Sequence, residues 1–338
     1  MNNCLLDNEK HDFLTKYGIS NPGLLQIKAG RNSKVWKITS RNDAWILKEY
    51  YISPEDSRDR LWTEYCFLEF LNKQGIRNIP KPLACDHERK FGLYSFIPGE
   101  SVFTISNEYI QQVADFIYSI NLLKKKAANQ NINFGSEACF SFNDHIQVVS
   151  DRLKILLQIE EKAPEDEQAK KLVGEKFLPT FHKLEKSLRH RLSLEFLERK
   201  LDPSERILSP SDFGFHNVLV DNNSLYFLDF EYAGWDDPAK LICDFYCQPE
   251  FPVKFEQAET FRILLGQALK LTDSNLRAIE LLPFYRLKWC CIILNEFRQN
   301  DRNRRKHSGI YGANMLRVQL HKAEDYFIQH LQGKLWPI

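Results

Sequence analysis

The chain has 338 residues, of which 43% are hydrophobic and 27% are charged, and this is enough for two lobes that each bury a core. Its 46 basic and 45 acidic residues nearly balance, so no overall positive field attracts nucleic acid. The longest wholly apolar run, residues 289–294, is too short to span a membrane and the first residues lack an export signal, so we expect a cytoplasmic protein without a membrane partner.

The amino-terminal part is predicted to be rich in strands. Residues 24–39 alternate around a turn that contains Gly30, Asn32 and Ser33, and the next alternating strand ends near Lys48. A turn with one glycine is weak evidence for a phosphate-binding loop when it is taken alone.

A helix is predicted next, because apolar residues recur at helical spacing within residues 54–74, with Ser53 or Ser57 available as its cap. Glu64 would lie near its second turn and could pair with Lys48. Such pairs on adjacent elements are more often surface contacts of little energy.

Further along, residues 80–100 read as a strand, a turn and a strand that ends in Pro-Gly, and helical stretches follow. The interval 160–205 resembles an insertion, with helical periodicity after Pro179. It could cover a substrate pocket, pack against a second subunit or decorate the surface.

The segment 207–229 carries the most informative pattern in the chain. Asp212 is followed five positions later by Asn217, and two short apolar strands then flank the polar tip 221–224 and lead to Asp229. Magnesium prefers such hard oxygen ligands and shares them with substrate phosphates.

These side chains match what phosphoryl transfer requires, which is alignment and neutralisation of charge. Asp212 could accept the proton of a substrate hydroxyl, while Asn217 and Asp229 could bind metal, and Glu231 could add a further metal contact. Taken singly, each group would more often cap a turn.

Together these residues resemble the catalytic and metal loops of the aminoglycoside phosphotransferase and choline/ethanolamine kinase group. The similarity is strongest at residues 227–245, which include Gly234 and Asp237-Pro238, and it extends to residues 80–100. Recognisable similarity covers about residues 24–100 and 205–247.

The resemblance implies an α+β, protein-kinase-like fold with two lobes. Residues 1–97 would form a small lobe with an antiparallel sheet, and residues 98–338 a larger, mostly helical lobe that contains the insertion. The cofactors would be ATP, lying between the lobes, and Mg²⁺.

The resemblance also implies roles for the amino-terminal candidates. Lys48, held by Glu64, would contact the nonterminal phosphates of ATP. In the turn that contains Gly30, Asn32 and Ser33, backbone amides and the Ser33 hydroxyl would approach the phosphates. At the strand end, backbone groups of Ser95, Phe96 and Ile97 would bind the adenine edge.

The chain departs from the family pattern at Pro210, where the family usually has a histidine that braces the catalytic loop. Pro210 would have to stiffen the turn through its fixed backbone angle. His216 is interpreted as loop packing or a substrate contact. Gly214, where protein serine/threonine kinases normally have lysine, and the lack of an Ala-Pro-Glu after the metal loop favour small-molecule substrates.

The acceptor must be recognised by the carboxy-terminal helices, above all by residues 283–298. Their candidates for lining a pocket are Tyr285, Arg286, Trp289 and Asn295. An aromatic cage for a quaternary ammonium is one hypothesis, although core aromatic residues are the commoner explanation and a sugar would suit the same loop; its members would be Tyr232, Trp235, Tyr285 and Trp289.

Residues 298–307 carry five cations and one acid. They could bind an anion, but the favoured interpretation is a solvated, mobile loop between helices, and no site is assigned there.

Eight cysteines show neither CxxC pairs nor a His/Cys metal spacing, which predicts reduced, mostly buried thiols. Cys243 and Cys247, one helical turn apart, are expected in the core.

The sequence therefore predicts an ATP-dependent, Mg²⁺-dependent kinase for the hydroxyl group of a sugar, aminoglycoside or amino alcohol. The alternatives are a pseudokinase that binds nucleotide or a partner without transfer, and a nucleotidyl transferase, which no feature of the loop favours.

Overall fold

A computed structural model describes residues 2–27, 32–271 and 273–332. An antiparallel sheet of five strands in the order β1-β2-β3-β5-β4 forms the amino-terminal lobe, together with two helices. The strands are β1 Gly23–Ile27, β2 Ser33–Ser40, β3 Asp43–Tyr50, β4 Pro82–Asp86 and β5 Phe91–Ser95, and the helices are α1 Asn2–Lys16 and α2 Arg60–Lys73.

The sheet folds because alternate side chains of its strands are apolar and face one helix. Phe13 and Leu14 of α1 pack on Ile38, Leu47 and Leu93 of the sheet, and all five are buried. The sequence reading did not identify α1 as a helix.

The predicted helix in residues 54–74 is confirmed as α2, but it begins later than expected. Asp59 caps it, since its carboxylate accepts a hydrogen bond from the Trp62 amide at 3.0 Å. The proposed caps Ser53 and Ser57 were therefore wrong, because the residues after Pro54 form a turn before the helix starts.

The rest of the chain is mostly helical. Its helices are α3 Asn107–Asn121, α4 Lys124–Ala127, α5 Phe142–Leu157, α6 Pro164–Leu172, α7 Leu178–Arg191, α8 Leu194–Glu198, α9 Pro238–Cys247, α10 Phe255–Leu269, α11 Asp273–Ile293, α12 Gln299–Ser308 and α13 Met315–Leu331. A π-helical turn, Val173–Phe177, joins α6 to α7, and a 3-10 turn, Leu294–Phe297, joins α11 to α12.

The interval 160–205 belongs to the core of this lobe. Val173, Phe177 and Leu188 are fully buried, and the Phe177 ring lies 5.1 Å from the Phe327 ring of α13. The helices of the interval are thus held by the same apolar packing as the rest of the lobe.

Two small sheets support the loops between α8 and α9. One has the order β6-β8-β9 and the other pairs β7 with β10; the strands are β6 Glu100–Ser101, β7 Ile207–Ser209, β8 Val218–Asp221, β9 Ser224–Phe227 and β10 Gly234–Asp236. Asn222 and Asn223 have positive φ, as a two-residue hairpin requires, and so the predicted hairpin is confirmed. Gly234 packs so tightly that a Cβ there would lie 2.3 Å from the Asn133 carbonyl oxygen.

The seven cysteines from Cys66 to Cys291 are free and five of them are buried, among them Cys243 and Cys247 in α9, as expected. In the same ranges, no helix is long and apolar enough to cross a membrane.

Candidate active site

The loop after β7 places Asp212 at the mouth of the cleft, with its side chain about one third exposed. Ser211 adopts a left-handed conformation with φ of 70°, which turns the chain sharply before Asp212. A non-glycine residue in this conformation costs energy and persists only where its surroundings hold it.

Two contacts hold Asp212 in place. His216 Nε2 lies 3.1 Å from Asp212 Oδ1, and the Asn217 side-chain nitrogen donates a hydrogen bond of 3.0 Å to the Asp212 carbonyl oxygen. Burial raises the pKa of Asp212, but His216 and then Lys288 outweigh it and bring the pKa below its ordinary value. Asp212 is therefore held as an ionised carboxylate, and His216 is its partner.

Pro210 does not brace the loop alone, as the sequence reading assumed. Lys240 of α9 donates a hydrogen bond of 2.7 Å to Ser211 Oγ and contacts Asp236 at 2.5 Å, and all three side chains are buried. The buried Lys240 thus anchors the loop from the protein interior. In addition, the Pro210 carbonyl oxygen accepts a 3.0 Å hydrogen bond from the Asp212 amide.

Lys48 brings the two lobes together. Its ammonium lies 2.8 and 2.9 Å from the two Glu64 oxygens and 3.0 Å from Asp229 Oδ1. The Tyr50 hydroxyl donates a further hydrogen bond of 2.6 Å to Glu64. Since Glu64 is buried, this is not the surface pair that adjacent elements usually form.

Asp229 lies beyond the end of β9 and has a φ of 64°. This left-handed turn, rather than a continued strand, carries the chain on to Glu231.

The acidic residues around Lys48 repel one another. Burial and then Asp229 raise the pKa of Glu231 to about 7, and the pKa of Glu64 is also raised, by burial first, although Lys48 opposes this. Crowded carboxylates of this kind are relieved by a bound cation.

Asn217 and Asp229 suit Mg²⁺. The amide nitrogen of Asn217 donates to the Asp212 carbonyl oxygen, and this leaves its amide oxygen as the atom that could bind a cation. Within the described ranges, no three His, Cys, Asp or Glu side chains form a metal-binding group. One amide and one carboxylate are nevertheless enough where substrate phosphates complete the shell.

Glu231, predicted to touch the metal, is buried and already has partners. Its carboxylate accepts a hydrogen bond from Asn32, and Arg60 lies 4.0 Å away. Asn32 also donates to the Tyr232 hydroxyl at 3.0 Å. The structure thus joins the end of the phosphate-loop turn to the metal loop through Glu231.

The remaining nucleotide candidates are Gly30, Ser33, Ser95, Phe96 and Ile97. Ser33 begins β2 with its side chain buried, while Gly30 lies outside the described residues. The Ser95 amide donates to the Lys81 carbonyl oxygen at 2.9 Å, so it is engaged within the sheet. The backbone groups of Phe96 and Ile97 make no hydrogen bond within the part of the chain that the structure describes.

The basic segment 298–307 forms α12 and packs against the amino-terminal lobe, so the expected mobile loop was wrong. Arg305 donates a 3.1 Å hydrogen bond to Asn32 Oδ1, and His307 Nε2 lies 3.3 Å from the Glu49 carbonyl oxygen. The segment is ordered because acids outside it neutralise its arginines. Glu296 forms an ion pair with Arg305 at 2.9 Å, and Asp166 forms one with Arg302.

The proposed pocket-lining residues of α11 are largely committed to the lobe itself. Tyr285 is buried, and its hydroxyl lies 2.7 Å from His145 Nδ1. Trp289 Nε1 donates to Asp244 at 3.0 Å, and Arg286 donates to the His330 carbonyl oxygen at 3.2 Å.

Sequence reasoning missed several residues beside Asp212. Lys240 binds Ser211, which in turn donates to the Ser136 carbonyl oxygen just before the left-handed Glu137, and Arg58 reaches Ser136 from the amino-terminal lobe. Their only signal was the family position occupied by Pro210, which showed that another brace was needed.

Comparison with known proteins follows from this geometry. The model of a family described as APH, phosphotransferase enzyme family, matches residues 23–269. No curated protein sequence matches the chain.

Similar solved structures include choline kinase LicA from Streptococcus pneumoniae, with 16% identity and a TM-score of 0.60 over 96% of this chain and 99% of that chain. Spectinomycin phosphotransferase APH(9)-Ia, in complex with ADP and spectinomycin, has 15% identity and a TM-score of 0.57 over 94% of this chain and 98% of that chain. Choline kinase from Cryptosporidium parvum Iowa II has 16% identity and a TM-score of 0.56 over 92% of this chain and 91% of that chain. At these identities the likeness establishes the two-lobed kinase-like fold.

Proposed function

The chain belongs to the APH phosphotransferase enzyme family, and on this premise we propose that it is an ATP-dependent, Mg²⁺-dependent kinase that phosphorylates a hydroxyl group of a small molecule. The observation that carries the proposal is the position of Lys48, bound to Glu64 at 2.8 Å and to Asp229 at 3.0 Å. One buried contact thus links the sheet, α2 and the metal loop.

Lys48 would neutralise the nonterminal phosphates of ATP. Burial lowers its pKa, but Asp229, Glu64 and Glu231 together raise it well above the ordinary value, so the ammonium stays charged throughout the working pH range. A fixed positive charge in a partly dry site stabilises phosphate charge more strongly than it would in water.

Asn217 and Asp229 would hold Mg²⁺, which would supply charge neutralisation for the phosphates. The crowding of Asp229, Glu231 and Glu64 supports this assignment, because a divalent cation would relieve their repulsion. Glu231 would act as a support for Asn32 and the metal loop rather than through direct metal contact.

Asp212 would accept a hydrogen bond from the acceptor hydroxyl and take its proton. A carboxylate with a lowered pKa is a weak base, which suits a transition state that is loose and needs the proton removed late. Lys240 and Ser211 would keep the carboxylate aligned with the phosphate.

The adenine would lie at the strand end after β5. The backbone groups of Phe96 and Ile97 are available to read its edge, whereas the Ser95 amide is used within the sheet. Binding of ADP by the similar spectinomycin phosphotransferase supports a nucleotide here. We place the boundary between lobe residues 1–97 and 98–338 at this strand end, and the protein in the cytoplasm.

A pseudokinase and a nucleotidyl transferase remain less well supported. Lys48, Asp212, Asn217 and Asp229 are all retained; Lys48 contacts Asp229, and Asn217 donates to the Asp212 carbonyl oxygen. No described contact favours either alternative.

The test is an ATP-consumption screen over sugars, amino alcohols and aminoglycosides with the wild-type chain, Asp212→Ala and Asp229→Ala. We expect Asp212→Ala to lose turnover by about 10²- to 10⁴-fold while it still binds ATP. Asp229→Ala should mainly weaken metal-dependent nucleotide binding. Exchange of these two outcomes would overturn the assigned roles, and nucleotide binding without turnover of any acceptor would favour the pseudokinase.

A further inference from the structure

The space beside Asp212 is bounded by a short segment that pairs with the metal loop. The Ser136 amide donates to the Tyr232 carbonyl oxygen at 3.0 Å, and the Ser136 carbonyl oxygen accepts from Ser211 Oγ at 3.4 Å. Arg58 of the amino-terminal lobe donates to Ser136 Oγ at 3.1 Å. Glu137, the next residue, therefore lies next to the catalytic loop.

The aromatic faces on this side already hold cations of the protein. The Lys288 ammonium lies 4.5 Å from the centre of the Tyr285 ring, and the guanidinium groups of Arg58 and Arg60 lie 5.4 and 5.6 Å from that of Tyr232. These distances are those of cation–π contacts. Two of the four aromatic residues of the hypothetical cage are thus occupied, and a quaternary ammonium would meet fixed positive charge there.

The acids on this side are each matched by a base. Glu137 lies 2.6 Å from Arg152, and Asp244 lies 3.0 Å from Lys288. Asp236 lies 2.5 Å from Lys240, and Asp212 lies 3.1 Å from His216. Among the residues that the structure describes here, no carboxylate lacks a cation. A charged acceptor would lose its hydration without gaining a counter-charge.

We propose that the acceptor is an uncharged polyhydroxy compound, such as a sugar or polyol, and that Glu137 and Arg152 bind its hydroxyl groups. This inference rests on the proposed function, because it concerns the acceptor of the same phosphoryl transfer. It separates sugars from the amino alcohols and aminoglycosides that the sequence left open.

An ion pair of this kind can bind hydroxyls because each hydroxyl both donates and accepts. Arg152 has five N–H donors and the carboxylate of Glu137 has several acceptor positions, so their mutual contact leaves capacity on both. The Glu137 side chain is 32% exposed although its partner Arg152 is only 15% exposed. The pair thus leaves part of its carboxylate exposed to solvent.

The backbone of Glu137 supports a functional role. Its φ of 53° is left-handed, as is that of Ser211 and of Asp229, the other two non-glycine residues with this conformation beside the cleft. Strain held in place by surrounding contacts is characteristic of binding and catalytic positions. Burial raises the pKa of Glu137, but Arg152 and then Lys288 lower it to about 2, so the carboxylate is ionised.

The experiment compares acceptors that differ at one position, where one member has a neutral hydroxyl and the other has an ammonium group. Glucose with glucosamine and galactose with galactosamine form matched pairs, and choline, ethanolamine and kanamycin complete the panel, with product detected by mass spectrometry. We expect kcat/KM to be at least about tenfold higher for the neutral member of a pair that reacts. Preference for the ammonium members would overturn this inference and leave the proposed kinase intact, whereas absence of both ATP binding and turnover would overturn the proposed function.

Two variants test the residues. Glu137→Gln should raise KM for the neutral acceptor by about five- to tenfold with KM for ATP unchanged. Glu185→Gln is its control, since Glu185 pairs with Arg189 at 2.9 Å on α7, away from the cleft. An acceptor KM that changes no more in Glu137→Gln than in this control would contradict the role of Glu137.

Arg58→Met keeps Glu137 and frees one face of Tyr232, so it remains informative should the first variant fail to fold. It should improve the relative kcat/KM of ammonium acceptors, whereas Arg89→Met, which removes an exposed arginine paired with Asp86 at 2.8 Å, should not. Equal selectivity between neutral and ammonium acceptors in both variants would contradict the inference that Arg58 on the Tyr232 ring disfavours ammonium acceptors.

Discussion

The two sides of the cleft differ in how their charges are balanced. On the nucleotide side, Lys48 faces Glu64, Asp229 and Glu231, and burial, together with repulsion from Asp229, raises the pKa of Glu64 and of Glu231. On the acceptor side, acids and bases form separate pairs, such as Glu137 with Arg152. An unbalanced acidic cluster is suited to a charged ligand such as Mg²⁺ with its nucleotide, and a balanced one to a neutral ligand.

The same contrast explains why one family fold accommodates acceptors of different charge. The nucleotide side is fixed by chemistry that every kinase shares. The acceptor side depends on which side chains the helical lobe places near Asp212, and here those side chains neutralise one another.

The largest effect should come from breaking the nucleotide side at Lys48. Lys48→Met leaves three carboxylates without their central cation and removes a phosphate contact, so kcat/KM for ATP should fall about 10³-fold, equivalent to about 4 kcal/mol. Steady-state kinetics with varied ATP measure it. Lys34→Met, which removes a lysine paired with Glu49 at 2.9 Å on the same sheet, is the control and should change little. Equal loss in both variants would contradict the role of Lys48.

Lys240 tests how the acceptor side is braced. Lys240→Met leaves Asp236 buried without its cation and should lower the free energy of unfolding by about 3 kcal/mol or more in denaturant titration. The milder Ser211→Ala removes only the 2.7 Å hydrogen bond, and we expect it to lower kcat while KM for ATP stays unchanged. A kcat that is unaffected by Ser211→Ala would show that the loop is braced elsewhere.

The buried pair of His145 and Asp237, which lie 3.1 Å apart, should make the stability of the protein depend on pH. Burial lowers the pKa of His145, but Cys139 and Asp237 raise it to about 9. A raised pKa means that the stabilisation is complete below the unfolded value of about 6.5 and is lost as the pH rises to about 9, for a total on the order of 3 kcal/mol.

Urea unfolding between pH 6 and 9 measures this loss, and His145→Gln should flatten the profile over that window. A wild-type profile that rises from pH 6.5 to 9 would contradict the sign of the His145 shift.

The smallest effect should come from the contact between the phosphate turn and the metal loop. Asn32→Ala removes hydrogen bonds to Glu231 and Tyr232 and should raise KM for ATP about fivefold, equivalent to about 1 kcal/mol. Gln111→Ala, on the surface of α3, is the control. An unchanged KM in Asn32→Ala would show that this contact does not order the nucleotide loop.

The parts of the molecule that sequence reasoning predicted are those encoded locally. The hairpin tip after Asp221, the spacing of Asp212 and Asn217, and the approach of Lys48 to Glu64 depend on short patterns or on a recognisable family motif.

The parts that it missed depend on partners distant in the chain. The basic segment of α12 looked like a solvated loop because its neutralising acids, such as Asp166 and Glu296, are not adjacent to the arginines. Lys240 gave no signal as the brace of Ser211, 29 residues away, for the same reason. The left-handed turn at Asp229 was also missed, because only a small fraction of aspartates adopt this conformation and the sequence does not show which ones.

The most direct test of the nucleotide side uses Mn²⁺ in place of Mg²⁺ as a paramagnetic probe, titrated with a nonhydrolysable ATP analogue and followed by electron paramagnetic resonance. We expect the free Mn²⁺ signal to fall with wild-type protein and with Asp212→Asn, and to stay high with Asn217→Ala and Asp229→Asn. Equal Mn²⁺ binding by all four proteins would contradict the assignment of Asn217 and Asp229 as the residues that hold the cation.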